Sequence, residues 1–172
     1  MEKIKNNIEL ILPIWVIAGV FGYVFEVIFY YFDKGYLINR GSTFGPWIPI
    51  YGFGAILIYL LTKKVKDNKV LVFLISLIVC GLLEFWTAYL LFHISHIRLW
   101  DYNTEILNFG NVGGYICLRS ILMWGFCGIL LTSGIIPLIN KLYKKYNRTY
   151  LLRLWGILSL MFLIDFSISI II

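Results

Sequence analysis

Three carboxylates, Glu26, Glu84 and Asp165, sit inside long apolar stretches of this sequence, and one arginine, Arg119, lies near the start of another. A charge at the centre of a membrane helix costs about 2.5–3.5 kcal/mol on insertion scales. Residues retained against that cost face a bundle interior or a wet cavity, where they pair or meet a solute. At a rise of about 1.5 Å per residue, Glu26 stands roughly 24 Å along its stretch and Glu84 about 21 Å along its own. Asp165 falls a little beyond mid-depth. With the orientation derived below, all three occupy the outer half, and Arg119 reaches that layer from the opposite direction. Paired carboxylates beside a cation suit a cationic or zwitterionic solute, or proton coupling. They also suit acid–base catalysis where their surroundings separate their pKa values. A structural ion pair fits Glu26 and Glu84 too, and helix packing is the preferred reading of Asp165.

The small residues around these acids set their direction. Gly19, Gly22 and Glu26 share one helix face by spacings of three and four, as do Cys80 or Gly81, Glu84 and Ala88. Such faces allow close helix contact and turn inward. Glu26 and Glu84 are therefore expected to converge on one volume open to the outside. The segment 39–54, NRGSTFGPWIPIYGFG, holds too many glycines and prolines for a continuous helix. Irregular backbone at membrane depth must be buried in protein or face a wet cavity. The segment is expected to fold back into the outer mouth, bringing Arg40 to the glutamates and leaving amides near Gly45 and Gly52 for an anionic group. The connection from His93 to Gly114 carries His96, Arg98, Trp100, Asp101, Tyr102 and Glu105 and is expected to cap the cavity. His93 and His96 have helical spacing but lack further metal ligands in the sequence, so no metal or other cofactor is expected.

Helices must position these groups. Of 172 residues, 60% are hydrophobic and only 14% charged, and the mean hydropathy is +0.85. A soluble domain carries about a quarter charged residues, so a water-soluble globule is excluded. Five stretches approach the roughly 20 residues a crossing needs: Leu10–Phe32, Phe44–Thr62, Val70–Phe92, Tyr115–Ile139 and Leu151–Ile172. The expected fold is a single all-α transmembrane domain over residues 1–172, a bundle of five helices with an irregular Gly/Pro-rich outer loop before the second. No cleavage site follows the first stretch, which is therefore read as a permanent span. Cys80, Cys117 and Cys127 all lie in apolar runs and read as packing residues.

Of the fifteen basic residues, Lys34, Arg40, Arg98 and Arg119 fall on one side of this arrangement and the rest on the other. The richer side is cytoplasmic by the positive-inside rule, which puts the N-terminus inside and the C-terminus outside the cell membrane. The net charge of +6 is explained by lipid headgroups and requires no nucleic acid.

The order Gly22…Glu26, Asn39-Arg40-Gly41, Gly45-Pro46, Pro49-Ile50-Tyr51-Gly52, Glu84, Trp100-Asp101-Tyr102 and Ile116-Cys117-Leu118 resembles a family of bacterial membrane proteins. That family is described as "Putative ABC-transporter type IV", or CmpB-like. The resemblance covers about residues 13 to 130, omits the fifth span, and implies a permease-like role in the cell membrane. By position, Glu26, Arg40, Tyr51, Glu84, Asp101 and Tyr102 match its characteristic polar residues. The chain departs from the family pattern at Phe92, where relatives carry an acid, and at Tyr115, where a basic residue often precedes Ile-Cys-Leu.

Three function classes follow. The first is a transport component that takes a small solute or lipid-like ligand through an outward cavity at Glu26, Arg40 and Glu84. With so few helices, it would work as a homo-oligomer or with a separate ATPase subunit. The second is a membrane-embedded enzyme acting on a lipid or lipid-linked substrate, with Glu26 and Glu84 as acid and base, Arg40 on a phosphate and Asp101 at the rim. No nucleophile elbow, metalloprotease helix or phosphate-cradling loop supports it, so transport is preferred. The third is a non-catalytic sensor or assembly factor whose polar cluster fixes helix packing.

Overall fold

The computed structural model describes residues 2–171, with side chains placed for residues 7–170. The side chains of Lys3 and Lys5, and the last residue of the expected fifth span, Ile172, lie outside the described residues. All described regular structure is helical apart from one isolated antiparallel bridge between Val112 and Ile116. The helices are α1 (Glu2–Lys34), α2 (Pro49–Thr62), α3 (Lys69–Ser95), α4 (Leu118–Leu130), α5 (Ile136–Lys145) and α6 (Arg148–Ile171). A π-helical turn, Leu131–Ile135, joins α4 to α5 without a break. Pro137 explains it: a proline ring clashes with the carbonyl four residues back, and a widened turn relieves that clash. Thr132 Oγ1 donates to the Gly128 carbonyl at 2.9 Å inside the same stretch.

Among the described residues, four helical stretches are long and apolar enough to cross a membrane: Asn7–Lys34, Lys69–Ser95, Leu118–Lys145 and Arg148–Ile170. Two helices start later in the chain than the apolar stretches that contain them. The second helix begins at Pro49, and its 14 residues cover only about 21 Å. Residues 44–48 are irregular because proline stops the helix from extending backward and favours an extended residue before it. The fourth helix begins at Leu118. There the Val112–Ile116 bridge and a bond from Trp100 Nε1 to the Tyr115 carbonyl (3.1 Å) keep the preceding residues in the loop.

The backbone groups into two compact units, Met1–Ile56 with Ser133–Ile172, and Leu57–Thr132. In the first unit α1 packs on α6, and Trp15, Val16, Trp47 and Phe162 form its buried core. The glycine face of α1 does turn inward. A side chain at Gly19 would strike the Phe162 ring, and one at Gly22 would overlap Tyr51. The bare backbone at Gly19 also lets the Ile48 N–H reach the Gly19 carbonyl at 3.0 Å, seating the start of α2 on α1. In the second unit α3 packs along α4, with Gly81 against Ile116 and Ile121. Ser76, Cys80 and Glu84 are buried on α3.

Candidate functional site

Each intramembrane acid has partners of a different kind. In the first unit, Arg40 Nε donates to Glu26 Oε2 at 3.1 Å, and the two side chains keep 17% and 19% of their surface exposed. The guanidinium lies over the buried Tyr30 ring, 3.7 Å from its centroid. Tyr30 follows Glu26 by one helical turn, so both point the same way from α1. Tyr23 donates its hydroxyl to Asn39 Oδ1 at 2.9 Å, which fixes the chain just before Arg40. A planar guanidinium stacked on an aromatic ring keeps several N–H groups for other acceptors. Tyr51 packs on Gly22, one turn before Glu26.

Asp165 does more than fill helix packing. Its carboxylate accepts from the Phe44 N–H at 3.0 Å, the Gly45 N–H at 2.7 Å and the Trp47 indole N–H at 2.7 Å. The amides near Gly45 expected to bind an anionic group therefore already hold one, supplied by α6. Thr43 Oγ1 donates to the Trp47 carbonyl at 2.5 Å and completes the turn. The Gly-Pro segment is thus an anchored loop.

In the second unit, Glu84 accepts from two neutral donors: the Tyr102 hydroxyl, in a short bond to Oε1, and the Trp124 indole, at 3.0 Å from Oε2. Glu84 and Tyr102 are both buried. Burial, then the negative charge of Glu84 and the bond to it, raises the Tyr102 phenol well above its ordinary value of 10.0. Because the folded chain holds that proton more tightly, the contribution is complete below the ordinary phenol value and fades as pH rises through the raised one. Arg119 pairs with a different acid. It bonds to Glu105 Oε2 at 2.6 Å and lies 5.3 Å from the Tyr102 ring centroid.

Asp101 shapes the same loop. Its Oδ1 accepts from the backbone and side-chain N–H groups of Asn103 at 3.0 and 2.7 Å and faces Arg98 at 3.3 Å. Asn103 accepts in turn from Asn111, and Asn111 from the Gly114 N–H. Gly114 has φ +81°, and a side chain there would run into Asp101, Arg98 and Asn103, so only glycine fits. His93 packs at a tilt against Tyr89, with ring centroids 4.2 Å apart, and sits 3.4 Å from the Tyr115 hydroxyl. His96 caps α3 in the left-handed conformation.

The structure therefore brings Glu26 to Arg40, and Glu84 to Tyr102 with Arg119 over the tyrosine ring. Sequence reasoning missed Tyr30, Trp124 and the pairing of Glu105 with Arg119. A tryptophan in an apolar helix signals an acceptor nearby, because a buried indole N–H needs one. It also missed Glu9, a buried acid near the start of α1, paired with Arg148.

A family model described as "Putative ABC-transporter type IV" matches residues 13–170. The chain belongs to this family, which makes it a multi-pass membrane protein related to transport. The match reaches beyond residue 130 and takes in α6, so the fifth expected span, which the resemblance omitted, lies within the family match. No curated protein and no solved structure matches the chain.

Proposed function

We propose that this protein is a permease-like subunit that binds a small cationic or zwitterionic solute at the Glu26–Arg40 pair, reached from the outer face of the cell membrane. One observation carries the reading. Glu26 and Arg40 form an ion pair within and beside a membrane-spanning helix, yet both side chains stay partly accessible. A zwitterion carries the same two charges with opposite polarity, so it can exchange for the internal pair without leaving a charge uncompensated. Tyr30 beneath Arg40 holds the guanidinium flat for a bidentate acceptor. Tyr51 backs this face. Glu84, Tyr102, Asp101 and Arg119 secure the α3–α4 connection over the second unit, and a homo-oligomer or a separate ATPase subunit completes the transporter. A thermal-shift screen of amino acids, betaines and polyamines tests this. At least one such solute should raise the unfolding midpoint of the wild type and fail to do so for Glu26→Gln and Arg40→Gln. Equal shifts in the two variants would remove the proposed site.

The basic residues support five crossings in this reading. Lys63, Lys64, Lys66 and Lys69 follow α2, whereas Lys141, Lys144, Lys145 and Arg148 separate the fourth and fifth crossings. Two crossings, α3 and α4–α5, lie between these clusters and keep them on one side, and the N-terminal Lys3 and Lys5 join that side only if α2, extended by residues 44–48, traverses the bilayer, which makes it cytoplasmic. An impermeant maleimide on intact cells should label Ile106→Cys and spare Lys66→Cys, with the unsubstituted chain as blank. The reverse pattern would invert the topology.

A further inference from the structure

The ends of α1, α5 and α6 that carry basic residues meet at a carboxylate the proposed solute site does not use. Glu9 is only 6% exposed. Its Oε2 takes a short bond from Arg148, and the Tyr143 hydroxyl donates to its backbone carbonyl at 2.8 Å. Its other oxygen, Oε1, is buried with no hydrogen-bond partner among the described residues. A buried carboxylate oxygen without a donor is costly, and such atoms mark a place where a donor belongs. Beside it, Arg148 keeps 56% of its side chain exposed, and Lys144 and Lys145 end α5 just before it.

We propose that Glu9, Arg148 and the neighbouring lysines form a site for the phosphoethanolamine headgroup of an aminophospholipid. The chemistry is reciprocal. Oε1 lacks an N–H donor, which a primary ammonium supplies. Arg148 bonds Glu9 through one nitrogen and has further N–H groups for a phosphate. The ammonium and phosphate of this headgroup are two carbons apart, which matches an acid and an arginine in direct contact. Helix ends of a membrane protein lie in the headgroup layer, where such a lipid is at hand. Binding draws the half-exposed Arg148 side chain toward the phosphate and uncovers Oε1. A choline headgroup has no N–H to give, and a glycerol headgroup has no cation, so both are poorer ligands.

The test is the unfolding midpoint of the purified chain in nanodiscs of phosphatidylcholine doped with phosphatidylethanolamine or phosphatidylglycerol. Phosphatidylethanolamine should raise the midpoint by about 5 °C over phosphatidylcholine alone, with phosphatidylglycerol in between. Glu9→Gln should reduce the ethanolamine effect to that of the glycerol lipid, and Arg148→Gln should abolish both. Lys66→Gln, in the other basic loop, should keep the wild-type order. A second series needs no substitution in the protein: stepwise N-methylation of the ethanolamine should erode the shift until it disappears at choline. Equal midpoints for ethanolamine and choline lipids, or an undiminished ethanolamine effect in Glu9→Gln, would overturn the proposal. The same shift from soluble phosphoethanolamine alone would overturn the assignment to a lipid.

Discussion

Replacing Asp165 with alanine is expected to destabilise the protein by about 2–4 kcal/mol, the cost of leaving two part-buried donors and one exposed donor without their charged acceptor. The carboxylate gathers two backbone amides and an indole from Phe44, Gly45 and Trp47, and all three lose their acceptor together. Trp47 also stacks on Phe162, with ring centroids 5.0 Å apart, so the loosened loop disturbs the buried core of the first unit. For a chain of this size the loss corresponds to roughly 5–10 °C in unfolding midpoint. Asp165→Asn should recover only part, because an amide presents one acceptor oxygen where the carboxylate uses two. Thermal unfolding in detergent measures both. A midpoint unchanged in Asp165→Ala would mean that the clamp does not hold the loop.

The second large effect lies at Glu84. Glu84→Leu keeps the approximate shape but strands the Tyr102 hydroxyl and the Trp124 indole N–H, at a cost of about 2–5 kcal/mol. The connection between α3 and α4 loses its buried anchor, and folded yield should fall sharply. Glu84→Gln should restore most of that yield. Its carbonyl oxygen can accept from Trp124, and its amide can donate to the Tyr102 hydroxyl, whose proton then turns elsewhere. A glutamine variant as damaged as leucine would show that the negative charge itself, not the hydrogen-bond geometry, is what the site requires. Size-exclusion profiles of the three proteins expressed side by side settle the order.

How much of this was legible in the sequence depends on the range of each interaction. The long helices were, because apolar runs and helical spacing are local signals; so was the inward turn of Gly19 and Gly22. The start of α2 at Pro49 was legible too, because proline favours the first position of a helix. Partner identity was another matter. Asp165 and Gly45 are 120 positions apart, and nothing in α6 alone announces that its acid will close a loop on α1. Arg119 was placed by depth, and depth does not distinguish Glu105 from any other acid in the same layer. Glu84 accepts from the neutral side chains of Tyr102 and Trp124, which a search for charge pairs passes over. The Arg40–Glu26 pair was the most legible contact, since a glycine-lined helix face and an arginine in an irregular segment both pointed to it.

In the proposed reading the partly exposed Glu26–Arg40 pair meets a solute while the buried Glu84 holds the fold. The most direct measurement is the solute-dependent shift in unfolding midpoint of Glu26→Gln, read against its folded yield and against that of Glu84→Leu. Glu26→Gln should fold in wild-type yield and show no solute shift, whereas the yield of Glu84→Leu should collapse. A Glu26→Gln protein that folds as poorly as Glu84→Leu, or one that still responds to the solute, would overturn this division of roles.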